Sequence, residues 1–129
     1  MSVSYNSCYV IDNKGNLYGI EDYGNYSIFS NDNRIKQWTN IPLPKNNKKF
    51  IQCANGDSHL ICLVEDNKGK RKLYSKGDYY FWGVSINNRN MDFISNLIQC
   101  NGIEDLDFKS INVYMELSAA ITSSGELYK

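Results

Sequence analysis

The chain has 129 residues, and its 14 basic and 14 acidic side chains leave no formal net charge, so no global field draws it to nucleic acid or an anionic membrane. That length suits a single domain over residues 1–129 with a core of its own. Ten Tyr and five Phe against two Pro fit a β-rich protein, and no apolar run reaches the roughly 20 residues of a membrane span.

The chain begins directly in strand material, and no basic-plus-apolar leader precedes it, so a signal peptide is not expected. Cys8–Ile11 is apolar, Asp12-Asn13-Lys14-Gly15-Asn16 turns, and Leu17–Ile20 leaves the turn. Asn and Gly accept the positive φ of a tight hairpin, which gives this signal a mechanism. Glu21–Tyr26 reads as a polar loop and Ser27–Phe29 as a short outer strand. Ile35–Asn40 reads as a strand or an irregular turn around Trp38. Pro42 and Pro44 keep the next segment extended, and Lys45–Lys49 is a basic connection.

Phe50–Gly77 organises the chain as three short strands and two turns. Its middle run, Leu60–Val64, is continuously apolar, as expected of a strand buried on both faces. Asp78–Val84 is the most aromatic stretch, and Met91–Cys100 carries a weak helix-like period. Phe108–Val113 and Leu117–Thr122 read as strands, followed by a turn at Ser123–Glu126 and a final Leu127-Tyr128. Cys8, Cys53, Cys62 and Cys100 form no C-x-x-C pair. They are read as reduced, and the protein as intracellular, cytoplasmic or nuclear.

Internal repetition is the strongest signal. An apolar strand, a Gly-containing turn and a Leu-Tyr pair occur at Cys8–Tyr18, Leu60–Tyr74 and Ser118–Tyr128. Measured on Leu17, Leu73 and Leu127 the period is 56 and then 54 residues, and Phe50–Cys53 is followed 58 residues later by Phe108–Ile111. Such spacing repeats a four-stranded antiparallel sheet, the unit of a β-propeller. The expected fold is therefore all-β, about two and a half blades of a propeller, with Leu17, Leu73 and Leu127 buried at equivalent positions between sheets. The end sheets are each expected to lack a strand, which would invite self-association or a protein partner at open edges.

Gln52-Cys53, Gly56-Asp57, His59, Leu60–Asp66 and Leu73–Asp78 together resemble one repeat of the regulator of chromosome condensation family. Ser118–Tyr128 is similar to its middle portion, and Ser7–Tyr18 is a looser copy. Lys76 and Ile20 stand where that repeat carries Trp, and Glu21 replaces one of its glycines. The resemblance implies part of a seven-bladed propeller. Its family includes the exchange factor for the small GTPase Ran, which also binds chromatin, and modules of ubiquitin ligases, kinases and scaffolds. Nothing here matches the projecting loop used for exchange, so that activity is not carried over.

The sequence offers no catalytic, cofactor or metal constellation. His59 is the sole histidine, lacks a ligand-like spacing, and matches the repeat's own structural histidine. Tyr79, Tyr80, Phe81 and Trp82 form a candidate interface, weighed against packing between blades. Lys68, Lys70, Arg71 and Lys72 form a candidate basic contact, weighed against a solvated hairpin tip. The function read from the sequence is a non-enzymatic protein–protein interaction or scaffold module. The alternatives are a regulatory propeller in a GTPase-exchange or ubiquitin-ligase pathway, and a nucleic-acid- or chromatin-associated protein.

Overall fold

The computed structural model describes residues 1–4, 7–21, 37–57, 59–77, 97–115 and 117–129. The expected strand at Ser27–Phe29, most of the helix-like stretch after Met91, and the aromatic run Tyr79–Trp82 lie outside the described residues. Within them every regular element is a strand.

Three antiparallel sheets follow one another along the chain. The first holds β1 (Ser2–Val3), β2 (Ser7–Ile11), β3 (Leu17–Glu21) and β4 (Thr39–Ile41) in sequential order. The second holds β5 (Asn47–Asn55), β6 (His59–Asp66), β7 (Arg71–Gly77) and β8 (Ile98–Gln99) in the same meander. The third has β9 (Phe108–Tyr114), β10 (Leu117–Thr122) and β11 (Leu127–Tyr128). The first sheet is thus complete, because β1 pairs Ser2 with Tyr9 and Val3 with Cys8. A two-residue strand carries too little pattern to read from sequence, so the expected missing strand there was an error. Ile98–Gln99 is likewise strand, where the sequence suggested helix.

Side chains alternate across each strand, so every sheet has a leading face towards the next sheet and a trailing face towards the one before. Tyr9, Leu17 and Ile41 on the leading face of the first sheet meet Phe50, Cys53, Leu60, Cys62 and Val64 on the trailing face of the second. Ile61, Leu63, Leu73 and Cys100 on the second sheet's leading face meet Phe108, Ile111 and Ala120 of the third. β6 therefore supplies alternate residues to two cores, and His59 to Val64 are all buried.

The repeat is anchored by one turn used three times. Asp12, Asp66 and Thr122 each accept a backbone bond from a glycine three residues on, Gly15, Gly69 or Gly125. These glycines sit at φ +85°, +83° and +92°, where side chains other than Gly are strained. Asp12 Oδ1 also accepts from the amides of Lys14 and Asn16, and Asp66 Oδ1 from those of Lys68 and Lys70, at 2.8–2.9 Å. Thr122 Oγ1 plays the same part for the Glu126 amide.

Counted from these glycines the period is 54 and then 56 residues, which corrects the equivalence read from the Leu-Tyr pairs. Leu17 matches Arg71 and Leu127, all on leading faces, while Leu73 lies one strand repeat further along the same face. A shift of two keeps a residue on its face, so the sequence pattern could not expose the slip. Leu17 and Leu73 are buried as expected, but Leu127 is exposed.

Leu63 lies between two sheets, so Leu63→Ala is expected to cost about 2–5 kcal/mol. Leu127→Ala should stay within about 0.5 kcal/mol of the parent at low protein concentration. Urea denaturation of both variants checks this; equal losses would contradict the assigned faces.

Candidate interaction surface

Polar side chains strap each sheet to the next at the inner strands. Ser2 Oγ bonds the Asn55 side chain and accepts the Asn55 amide at 2.9 Å, and Asn55 Nδ2 donates to Ser7 Oγ at 2.9 Å. At the equivalent place one sheet on, the Gln52 amide group donates to the Ile111 carbonyl at 2.9 Å and accepts from the Ile111 amide at 3.0 Å. A glutamine matching both backbone groups of one residue imitates a strand pairing and leaves neither group unsatisfied.

His59 belongs to the same strapping. It is fully buried, and its Nε2 lies 2.8 Å from Ser118 Oγ of the third sheet. Burial holds its pKa below the usual histidine value, with Asp57 acting weakly the other way. A Cβ at Gly56 would lie 2.0 Å from the Met115 carbonyl oxygen, so only glycine lets the third sheet approach here. Among the described residues no group of three His, Cys, Asp or Glu side chains could hold a metal. The thiols of Cys53 and Cys100 are pushed up to about 11 by burial, and that of fully buried Cys62 is also raised by burial. These are poor nucleophiles, because the thiolate is the reactive form.

The basic tract does not form one surface. Lys68 and Lys70 are exposed at the hairpin tip, but Lys72 is buried, its ammonium donating to the Glu104 and Leu106 carbonyls. The Arg71 amide donates to Asp107 Oδ1 at 2.8 Å, the first cause of the lowered Asp107 carboxyl pKa. The sequence reading placed Lys72 at a solvated hairpin tip, whereas the strand starts at Arg71 and Lys72, paired with Val64, is buried with its ammonium on carbonyls of the segment that leads into the third sheet. An open pocket of about 420 Å³ lies beside Asp12, Gly15, Lys49 and Gln52, with no set of groups converging on it for chemistry.

What remains is apolar. The leading face of the third sheet carries Tyr114, Leu117, Ile121 and Leu127, all exposed. Leu117 pairs with Tyr114 across β9–β10, and Ile121 with Leu127 across β10–β11, so the four share one face. Ser110, Asn112 and Ala119 share it, and the exposed Lys109 stands beside Ser110 at a β-bulge on its border. The signal for this face is present in the sequence as the alternation Leu117, Ala119, Ile121; the sequence leaves the end sheets open to a partner, but Leu127, expected to be buried between sheets, is exposed. Tyr79, Tyr80, Phe81 and Trp82, the interface read from sequence, lie outside the described residues.

Meandering antiparallel sheets stacked face to face with inner-strand straps define a β-propeller segment. No family model matches the chain, and no curated protein does. Solved structures do match. Yeast RCC1 (Prp20) in its complex with Kap60 superposes with a TM-score of 0.73 at 19% identity, over 98% of this chain and 30% of that one. Prp20p from Saccharomyces cerevisiae, described with its binding properties to Gsp1p and histones, gives 0.74 at 19% identity, over 98% and 31%. Human WBSCR16 gives 0.70 at 16% identity, over 95% and 31%. The chain thus has the fold of RCC1-like β-propellers and spans under a third of the length of each of these proteins.

Two of the three departures from the repeat that the sequence resembles meet in space. Glu21, in place of a glycine, and Lys76, in place of a Trp, are both buried between the first and second sheets. Glu21 accepts the Tyr9 hydroxyl at 2.7 Å, and the Tyr9 pKa is raised by burial and then by Glu21. Burial lowers the Lys76 ammonium to about 8, against the opposing pull of Glu21. Between pH 8 and the usual lysine value of 10.5 the unfolded chain binds more protons at this site than the folded one. Its contribution to stability therefore rises with pH across that window, and its full cost applies below pH 8. Lys76→Met removes that slope. Urea midpoints of variant and parent should differ less in the variant's favour at pH 10 than at pH 8. An unchanged difference would remove a charged Lys76 from the interface.

Proposed function

We propose that this chain works as a non-catalytic protein-interaction module of propeller type, folding as one domain and docking through the leading face of its third sheet. The observation that carries the reading is the exposed apolar face of Tyr114, Leu117, Ile121 and Leu127. Contiguous apolar surface on a soluble protein marks an interaction site, and aromatic and aliphatic side chains on a rigid sheet suit a hot spot. The buried thiols and the structural His59 supply no competing chemistry. Reduced cysteines favour the cytoplasm or nucleus, and among the described residues no helix is long and apolar enough to cross a membrane.

A second reading is a regulatory propeller in a GTPase or ubiquitin pathway. The described binding of Prp20p to Gsp1p and histones favours it, although the likeness in fold alone does not transfer a partner. Nucleic-acid binding has less support, because the tract Lys68–Lys72 is divided between surface and interior.

Affinity capture with the parent chain and with Leu117→Lys tests the proposal. Partners should be retained by the parent and lost with the variant, while both melt at similar temperatures. Partners that bind both equally would move the site elsewhere. For nucleic acid, a labelled duplex should show no specific binding at physiological salt. Tight binding that falls steeply with salt and disappears in Lys68→Ala/Lys70→Ala would favour the nucleic-acid reading.

A further inference from the structure

The three-fold turn allows residues to be matched sheet by sheet, and the match extends to the two outer faces. On the leading side, Ile11 and Leu17 pair across β2–β3 and pack on the second sheet. Ile121 and Leu127 pair at the same distance from the turn in the third sheet. The two pairs are the same residue types, one covered and one open, with Ile121 40% and Leu127 63% exposed.

The trailing side shows the reverse. Cys62 and Val64 in the second sheet are covered by the first sheet. Counted from the turn, the matching residues of the first sheet are Cys8 and Val10, again the same types. They share the first sheet's trailing face with Val3, Tyr18 and Ile20, because Val3 and Ile20 pair with Cys8, and Tyr18 with Val10. Val3 is 63% exposed, and Cys8, Val10, Tyr18 and Ile20 are half-buried. No charged side chain is among them.

We propose that the leading face of the third sheet is covered by the trailing face of the first sheet of a second copy, head to tail. The internal contact between the first and second sheets supplies the template: an Ile–Leu pair laid on a Cys-x-Val strand. The described residues hold one uncovered instance of each half, on the third sheet and on the first. Such a contact is heterologous, so it propagates to a ring or an open chain of copies rather than stopping at a two-fold dimer. The inference rests on the reading of the third-sheet face as a docking surface and names its occupant.

Sedimentation velocity over a dilution series tests it, using the parent, Leu127→Asp, Val10→Asp, and an equimolar mixture of the two variants. The parent should grow beyond a monomer as concentration rises. Each variant alone should be monomeric, with association weakened about tenfold or more. The mixture should form dimers and stop there, because each partner contributes its one intact face. Val3→Asp, further out on the same trailing face, repeats the second arm with a variant less able to disturb folding. A parent that is monomeric at every concentration overturns the proposal. So does association that survives both Val10→Asp and Val3→Asp, as a two-fold contact between third sheets would, or a mixture that stays monomeric. A monomeric parent that still captures partners through Leu117 would overturn the second copy as occupant and leave the interaction reading standing.

Discussion

β6 is held between two sheets, and this double burial sets the terms for everything around it. Leu60, Cys62 and Val64 belong to one core, and Ile61 and Leu63 to the other. A strand covered on both faces has no position for a polar side chain without a partner, which is why its sequence is continuously apolar. Its one polar residue in that span, His59, reaches Ser118 at the boundary with the third sheet. Because both cores share this strand, the packing of the first sheet and that of the third are mechanically joined through a single backbone.

The polar groups between sheets follow from the same geometry. Inner strands lie close, so backbone groups there face one another and need partners in a confined space. Ser2 and Gln52 occupy equivalent places and meet that need in the same way, each bonding into the following sheet. Lys72 and Lys76 show two uses of a long basic side chain. The first satisfies carbonyls beside the third sheet, and the second faces the Glu21 carboxylate in the first interface.

Much of the architecture was legible in the residues. Asp-x-x-Gly turns and the Phe50–Cys53 and Phe108–Ile111 match are local patterns with fixed backbone consequences, and both strands place Phe and the residue three further on in a core. Burial was less legible, because it depends on which neighbour a face meets. Leu17 and Leu127 have the same local sequence context, and only the stacking of sheets separates the covered one from the exposed one. The pairing of Glu21 with Lys76 spans 55 positions and has no local signature. Lys72 was misplaced because a run of basic residues after a turn reads as a tip, whereas strand alternation begins inside the run. The open end sheets were legible, but an apolar alternation says that a strand has an apolar side, never what lies against it.

The account depends on β6 being the shared element of two cores, and native-state amide hydrogen exchange measures that directly. Amides of Leu60–Val64 should exchange only through global unfolding, with protection equal to the stability found by denaturation. Amides of the outer strands, Thr39–Asn40, Ile98–Gln99 and Leu127–Tyr128, should exchange through smaller openings. Exchange of the Leu60–Val64 amides as fast as those of the outer strands would contradict the stacked arrangement.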